Sequence, residues 1–562
     1  MLQFFFFFVF IIFAFPIVPS IWGILINFFP WSSSLDFLTL KSSPLITILN
    51  SPGVLHSILL SLFTGTLSTL FSIFFCYKIL QFFWLTNRWK FIEYNLLLFL
   101  AIPHAAFALG LVLTFSTTGF IARLLSFSDI LSNLSLNIIN DPLGIGLILT
   151  LILKETPFLL LMSIGVLQQI RVKSLLSIGR TLGYNSKEAW LKIIMPLWLP
   201  KMRLPIFAVA AYGISVVDVA LIIGPTKPPT LAVKIWQWFN QPSVEFFERV
   251  TQGSLLLIFI VAGILGLIRI FEWLFLKYSR SWQVSGPSGN LSHETSSKIL
   301  VSSGIYLSCA IPIMVTGILL FWSFTERWRF PEILPTAYTF RFWKQETFSL
   351  IELSGNSLLI AVFSSLISLV FVIIVLEFRD KSQKTIPNWI LVFPLVVPQL
   401  SLLFGVQMLI HYVNPSWFLF WVIWLHLFFV FPYTFLSLDG TFKGYDRRLD
   451  KIGQSLGLSG WKTWWKIKLP NIFNAIFITF AVGCSVSLAQ YLPTQMMGGG
   501  RISTITTEAV TLASGHDRRL GGLYGILQGV FPLIFFVLSL WVGKFCWRRD
   551  SRPNKGLRRI KS

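Results

Sequence analysis

Apolar runs of about 20 residues, long enough to cross the hydrocarbon core of a bilayer as a helix, recur along this chain between short polar connectors. No other feature limits the fold so sharply. In lipid every backbone N–H and C=O must be satisfied within the segment, and a helix does that. Hydropathy predicts about twelve spans, near residues 4–28, 54–77, 93–115, 142–168, 204–224, 253–276, 301–323, 356–376, 387–411, 416–438, 472–492 and 524–543. Only 12% of the 562 residues are charged, about half the share a water-facing surface needs. The expected class is therefore an all-α polytopic membrane protein. The apolar stretch from Met1 to about Asn27 has no basic n-region and no small-residue cleavage site, so it reads as a retained first span.

The net charge of +22 would suit a nucleic-acid partner if it decorated a solvated face. It does not. Lys and Arg collect in alternate connectors: Lys78 to Lys90, Arg171 to Arg203, Lys277 to Lys298, Arg379 to Lys384, Lys443 to Lys468, and the tail from Lys544 to Lys561. That set holds roughly 31 of the 45 basic residues, and the opposite set roughly 12, the asymmetry of positive-inside topology. Nucleic acid is excluded as a partner, the lipid bilayer is the expected environment, and both termini are expected on the cytoplasmic side. Cys76, Cys309, Cys484 and Cys546 show no spacing that suggests a disulfide framework or a metal site. His104, following Pro103 inside a span, reads as a packed, hydrogen-bonded side chain, with contact to a substrate as the alternative.

A polar linker at 281–297, with Gly286-Pro287-Ser288-Gly289-Asn290 at its core, divides the chain near its middle. It separates residues 1–280 from 298–562, six expected spans on each side. The two parts repeat one another. Ile178-Gly179-Arg180-Thr181-Leu182-Gly183 returns as Ile452-Gly453-Gln454-Ser455-Leu456-Gly457, and Trp190, Lys192, Ile193 and Pro196 return as Trp464, Lys466, Ile467 and Pro470. Every match lies 274 positions on (183 to 457, 196 to 470). Both copies fall in a basic connector after the fourth span, so the repeat is parallel. Gly183 and Gly457 can take the left-handed conformation that ends a helix. Asn185 or Ser459 then serves as N-cap of a second helix, with Glu188 placed for a capping box, running to Pro196 or Pro470.

A glycine followed thirteen positions on by a proline before a span resembles the "EAA" loop of permease subunits in binding-protein-dependent ABC importers. The resemblance implies that loops 171–203 and 443–470 present coupling helices to cytoplasmic ABC ATPase subunits, one per half, so two copies. It also implies two six-helix permease halves of the type I importer kind and an extracytoplasmic solute-binding protein as partner, in a cell inner membrane. The residues carried over are Gly179, Gly183, Trp190, Pro196, Gly453, Gly457, Trp464 and Pro470. The chain departs from the pattern where Ser177-Ile178-Gly179 and Lys451-Ile452-Gly453 replace Glu-Ala-Ala, so no contact through the family's glutamate is carried over. No Walker A pattern occurs, so ATP belongs to the partner, no cofactor is expected on this chain, and it is not itself an enzyme. Looser landmarks pair Pro103 and Gly110 with Pro398 and Gly405, and Ser57 with Ser357. Arg327-Trp328-Arg329-Phe330-Pro331 and Leu488 to Thr494, leading to Gly500-Arg501 and Thr506 to Val510, look like fused permeases of a thiamine-type system. Fused permeases also import ferric iron and phosphonates, and the solute stays open.

In the fifth span of each half, Ala211, Gly213, Ser215 and Val216 match Ala481, Gly483, Ser485 and Val486, 270 positions on (215 to 485). That register sets Asp218 against Leu488, with Ser487 and Gln490 as the nearest polar groups. Ionisable residues at membrane depth are costly and face cavities or partners. Ser215, Asp218, Ser485, Ser487 and Gln490 are accordingly the expected lining of a translocation path, with Asp218 facing a cationic or hydrogen-bonding solute. A helix–helix contact is the competing role. Lys154, Glu155, Arg269, Glu272 and Glu377 receive no role. The rival class is an ion-coupled secondary transporter with two six-helix halves. Gly444-Tyr445-Asp446-Arg447-Arg448 resembles a basic loop of the major facilitator group, but stands between spans ten and eleven and has no copy early in the first half.

Overall fold

A computed structural model describes residues 2–28, 48–126, 138–286, 310–382, 393–413, 416–513, 515 and 517–550. Most of the linker, the start of the seventh and ninth expected spans, Cys309 and the basic tail from 551 lie outside these residues. The chain is an all-α polytopic membrane protein. Among the described residues eight helices are long and apolar enough to cross a membrane, or nine if a pair bent by 67° at Met202 is one span. Three shorter apolar helices, Gln3–Ile12, Ala310–Ser323 and Gln399–Met408, stand at the remaining expected positions.

Several expected spans are interrupted, the first of them near 4–28 dividing into Leu2–Ala14 and Ile17–Phe28 around Pro16. The span near 93–115 divides into Arg88–Ala101 and His104–Phe115, because Pro103 disfavours helix at Ile102 and has no N–H to continue the ladder. The span near 204–224 ends at Ser215, passes through extended Val216, and restarts as Asp218–Ile223.

The framework of each half is a long helix with a face of small polar residues. Val54–Phe83 buries Ser57, Ser61, Thr64, Gly65, Ser68, Thr69 and Ser72 against Ile145–Ile170 and Arg203–Ser215. Thr347–Ser382 buries Ser357, Ser364, Ser365 and Ser368 against Phe418–Gly444 and Leu469–Ala489. Small side chains let backbones approach where lipid supplies no hydrophobic drive for helix association. One bond fixes the register of the repeat. Leu231 N–H donates to Ser61 Oγ at 2.8 Å, and Ile505 N–H donates to Ser357 Oγ at 2.9 Å. Ser357 thus corresponds to Ser61, one helical turn beyond the Ser57 that sequence comparison paired with it.

The halves exchange their first spans. Ile17–Phe28 packs on Gln399–Val413 of the second half. There the backbones touch, since a Cβ on Gly405 would strike the carbonyl of Ser20. Reciprocally, a Cβ on Gly110 would strike Val315 of Ala310–Ser323. The division at the linker is therefore one of sequence, not of packing. On the side opposite the two loops, a two-stranded antiparallel ribbon, Thr325–Arg327 with Ala337–Tyr338, ties the halves again. Arg123, 2% exposed, donates from Nη1 to the carbonyls of Arg329 and Glu332, both at 2.7 Å, and lies over the Trp328 ring.

Candidate functional site

The two loops share a backbone. Val172–Thr181 and Arg448–Ser455 end in the same motif, with Gly183 and Gly457 both at φ +83°. Tyr184 N–H reaches the Gly179 carbonyl at 3.0 Å and Gly183 N–H that of Arg180 at 3.0 Å; Leu458 to Gly453 (3.1 Å) and Gly457 to Gln454 (3.0 Å) repeat this. This pair of bonds satisfies carbonyls that the helix end leaves free. The next helix is capped at once. Asn185 Oδ1 accepts from Glu188 N–H at 2.8 Å while Glu188 reaches back to the Asn185 N–H. Ser459 Oγ accepts from Lys462 N–H in the second copy. Gly179 and Gly453 permit the crossing of the two helices: a Cβ there would press on Ile193 and Ala189, or on Ile467 and Thr463.

Sequence reading expected each second helix to end at the proline. It does not. Both copies pass through a π-turn, Trp190–Ile194 and Trp464–Lys468, and continue as Met195–Lys201 and Leu469–Ala489. The N–H before each proline bonds five residues back, Met195 to Trp190 and Leu469 to Trp464. The wider turn carries the chain into Pro196 or Pro470, whose missing N–H costs little in a first turn.

What holds each loop differs. Trp190 is buried beside Tyr77, which also meets Trp198, in an apolar cluster that includes Ile194. The residue in the place of Ile194 is Lys468, which pairs with Glu377 at 2.6 Å and Asp380 at 3.3 Å. Trp464 Nε1 also donates to Glu377, and Arg447 joins Asp380. Burial, then the hydrogen bond to Asp450, holds the Tyr445 phenol above its ordinary range at the entry to this copy. The first loop also grips the end of Val244–Gln283, where the linker begins: Lys192 Nζ donates to the Gly286 carbonyl at 2.8 Å and Tyr184 to that of Gln283 at 2.9 Å. On the outer surface the copies agree. Ile178 and Leu182 are 53% and 60% exposed, and Ile452 and Leu456, at the same places, 55% and 78%.

Beyond the loops the helix breaks in both halves at matching places. Val216 and Gln490 are both extended, and Asp218–Ile223 and Leu492–Gly498 follow (216 to 490, 218 to 492). The loop's register of 274 therefore runs on, and the 270 register read from small apolar residues is corrected. Asp218 stands opposite Leu492, and Ser485 and Ser487 stand opposite Ala211 and Gly213. The contacts agree: Gly213 packs on Ser68, while Ser487 bonds Ser364.

The expected path residues do not form one set. Ser215 bonds back to the Ala211 carbonyl, Ser485 is buried, and Ser487 is taken up by Ser364 and His426 Nδ1. Gln490 Nε2 turns to the His426 carbonyl. Ser487 and Gln490 belong to helix packing around a buried histidine whose Nε2 meets Thr494 Oγ1 at 2.8 Å. Of the five, Asp218 is half-buried and the other four are buried. The helices it packs on carry His104, read from sequence as a packed side chain or a substrate contact, and Lys154 and Glu155, which sequence reading left without a role. His104 Nε2 meets Glu155 Oε1 at 3.2 Å, and its ring lies on Tyr212, centroids 5.1 Å apart. The short helix Asp218–Ile223 packs on His104–Phe115 and on Ile145–Ile170, the helix that carries Lys154 and Glu155. Lys154 Nζ satisfies the Phe99 and Ile102 carbonyls freed by Pro103, at 2.6 and 2.5 Å. The signal was present in sequence, as ionisable residues inside apolar spans, but their convergence was not.

The chain is 29% identical over 496 residues, 88% of its length and 89% of the relative's, to the inner membrane ABC transporter permease protein YnjC of Escherichia coli (strain K12). It is 28% identical over 167 residues, 28% of its length and 58% of the relative's, to the spermidine/putrescine transport system permease protein PotC homolog of Mycoplasma genitalium. Both relatives are named permeases. The chain matches no protein-family model. Neither relative supports the ion-coupled alternative.

Proposed function

We propose that this chain is a fused double permease: the membrane subunit of an ATP-driven, binding-protein-dependent importer, with residues 1–280 and 298–562 as its halves. The observation that carries the reading is the repeated loop. Two copies share a glycine-terminated helix, a capped second helix, a π-turn and a proline-led span, and each exposes an apolar pair, Ile178/Leu182 or Ile452/Leu456. Exposed apolar residues at i and i+4 on a polar loop suit a partner's groove. The ABC transporter permease name of the full-length relative supports the same reading.

Two cytoplasmic ABC ATPase subunits each receive one loop, and an extracytoplasmic solute-binding protein delivers the solute. ATP is bound and hydrolysed by those subunits, and this chain needs no cofactor of its own. Their movement pushes each loop, whose capped helices transmit displacement as a unit, and the halves rock about their shared seam. The protein sits in the inner membrane with both termini cytoplasmic. The test is co-purification with the ABC ATPase subunits of the same cell. A Leu182→Asp, Leu456→Asp double variant, changed only at exposed positions, is expected to insert normally and lose the ATPase. Undiminished uptake by cells lacking every candidate ATPase would remove the proposal.

A further inference from the structure

The second loop carries a surface that the first does not. Trp461 and Trp465 are 71% and 49% exposed, and their rings pack on Trp464 with centroids 6.2 and 5.1 Å away. Lys462 and Lys466 stand beside them in the chain, both exposed. Glu377 and Asp380 are taken by Lys468 and Arg447, and among the described residues no carboxylate pairs with Lys462 or Lys466. At the same places in the first copy, 274 positions back, are Lys187, Glu188, Leu191 and Lys192. There Glu188 closes the capping box, and Lys192, which is buried, donates to the Gly286 carbonyl and lies over the Trp282 ring.

A neighbouring helix sets the depth of this surface. Thr347–Ser382 has no charged residue from Leu353 to Leu376, and Glu377 ends that apolar run. Trp464 Nε1 and Lys468 Nζ both bond Glu377, at 2.9 and 2.6 Å, so the π-turn lies at the edge of the hydrocarbon core. Trp465 and Lys466 belong to that turn, and Trp461 and Lys462 stand one turn farther out, at the level of the headgroups. The exposed side runs on into the span: Lys466, Pro470 and Asn474 are exposed at successive turns of the unbroken helix Gly460–Ala489. An exposed face within a span meets lipid. Indole rings settle at the level of the headgroups, and ammonium groups there meet phosphates.

Two other occupants fit less well. An ATPase surface used by both loops would recur in both copies, as the Ile178/Leu182 and Ile452/Leu456 pairs do. By the same register the counterparts of Trp282 and Gly286 are Gly556 and Ile560, in a stretch from 551 to 562 with five basic residues and no acidic one. That stretch brings no charge to neutralise the lysines.

We propose that this face binds the phosphate of an anionic phospholipid headgroup, with Lys462 and Lys466 as counter-charges and Trp461 and Trp465 as the apolar anchor. One loop of the two is thereby tied to the bilayer. The charge of the surrounding lipid sets its mobility, while the first loop depends on its protein seat alone. The inference draws on the membrane class of the chain and goes beyond the reading of what drives transport.

The test is amide hydrogen exchange on the full chain, without ATPase, in nanodiscs of phosphatidylcholine alone and of phosphatidylcholine mixed with phosphatidylglycerol. Anionic lipid is expected to slow exchange across 460–467 by at least about tenfold and to leave 186–193 unchanged. Lys462→Gln with Lys466→Gln is expected to remove the difference, Lys462→Arg with Lys466→Arg to keep it, and Lys187→Gln to leave it as in the wild type. All three positions are exposed, so folding is not at stake. Equal exchange in the two lipids, equal slowing of both loops, or slowing that survives the glutamine pair overturns the site. Slowing of 460–467 by added ATPase subunits with no effect of anionic lipid overturns it in favour of that partner. Lipid-dependent slowing that appears only once residues 551–562 are removed overturns it in favour of the tail.

Discussion

Lys154 shows why a charged residue can persist in a span without acting on a solute. Pro103 removes a donor and leaves the end of Arg88–Ala101 with free carbonyls, and Lys154 reaches across from the neighbouring helix to those of Phe99 and Ile102. Replacing it by Met keeps the stem and leaves both carbonyls orphaned. Each orphan costs about 1–3 kcal/mol, so Lys154→Met is expected to lower the thermal unfolding temperature in detergent clearly more than Lys78→Met near the helix end. Equal shifts in the two variants would show that the carbonyl bonds contribute nothing. At this scale the glycines were legible and the charges were not. Gly183 and Gly457 announce a local conformation that few other residues adopt, whereas the role of Lys154 depends on a carbonyl more than fifty residues away.

The loops carry the same contrast to the level of elements. Their helix–turn–helix form follows from residues within the loop, so a repeat search finds it. Their seats do not, because Tyr77 and Glu377 sit on other helices. The second seat is ionic, with Lys468 held by Glu377 and Asp380, and Arg379 and Lys443 sharing Asp439 nearby. The first is aromatic and aliphatic. Breaking a buried pair from one side leaves the other charge uncompensated. A Glu377→Gln, Asp380→Asn variant is expected to raise amide hydrogen exchange across 448–468 by at least about tenfold while 172–194 stays as in the wild type. Equal acceleration in both loops would mean that the seats are coupled and the asymmetry has no energetic content. The π-turns were not legible for a different reason: a proline reads as a helix stop, and only the five-residue bonds ahead of Pro196 and Pro470 show how the chain carries on.

For the whole molecule, the exchange of first spans decides how two halves of one chain move together. Pairing Gly110 with Gly405 was correct in sequence, yet nothing local indicated that each faces the first span of the opposite half. Gly405 has no space for a Cβ beside Ser20, and Gly110 none beside Val315. The Arg123 guanidinium adds a second tie on the far side, buried among carbonyls of the ribbon. Rigid separation of the halves would tear these contacts, so the rocking proposed above has to pivot about them, with the exchanged spans in place. The linker is then needed to fix stoichiometry and not to hold the halves together. A protease site placed between 287 and 297 is expected to yield two fragments that co-elute in mild detergent. The same nicked chain carrying Gly405→Leu and Gly110→Leu is expected to separate, since each leucine displaces a helix that touches backbone to backbone or backbone to Val315. Separation of the nicked wild type would show that the linker, and not the exchanged spans, keeps the two halves joined.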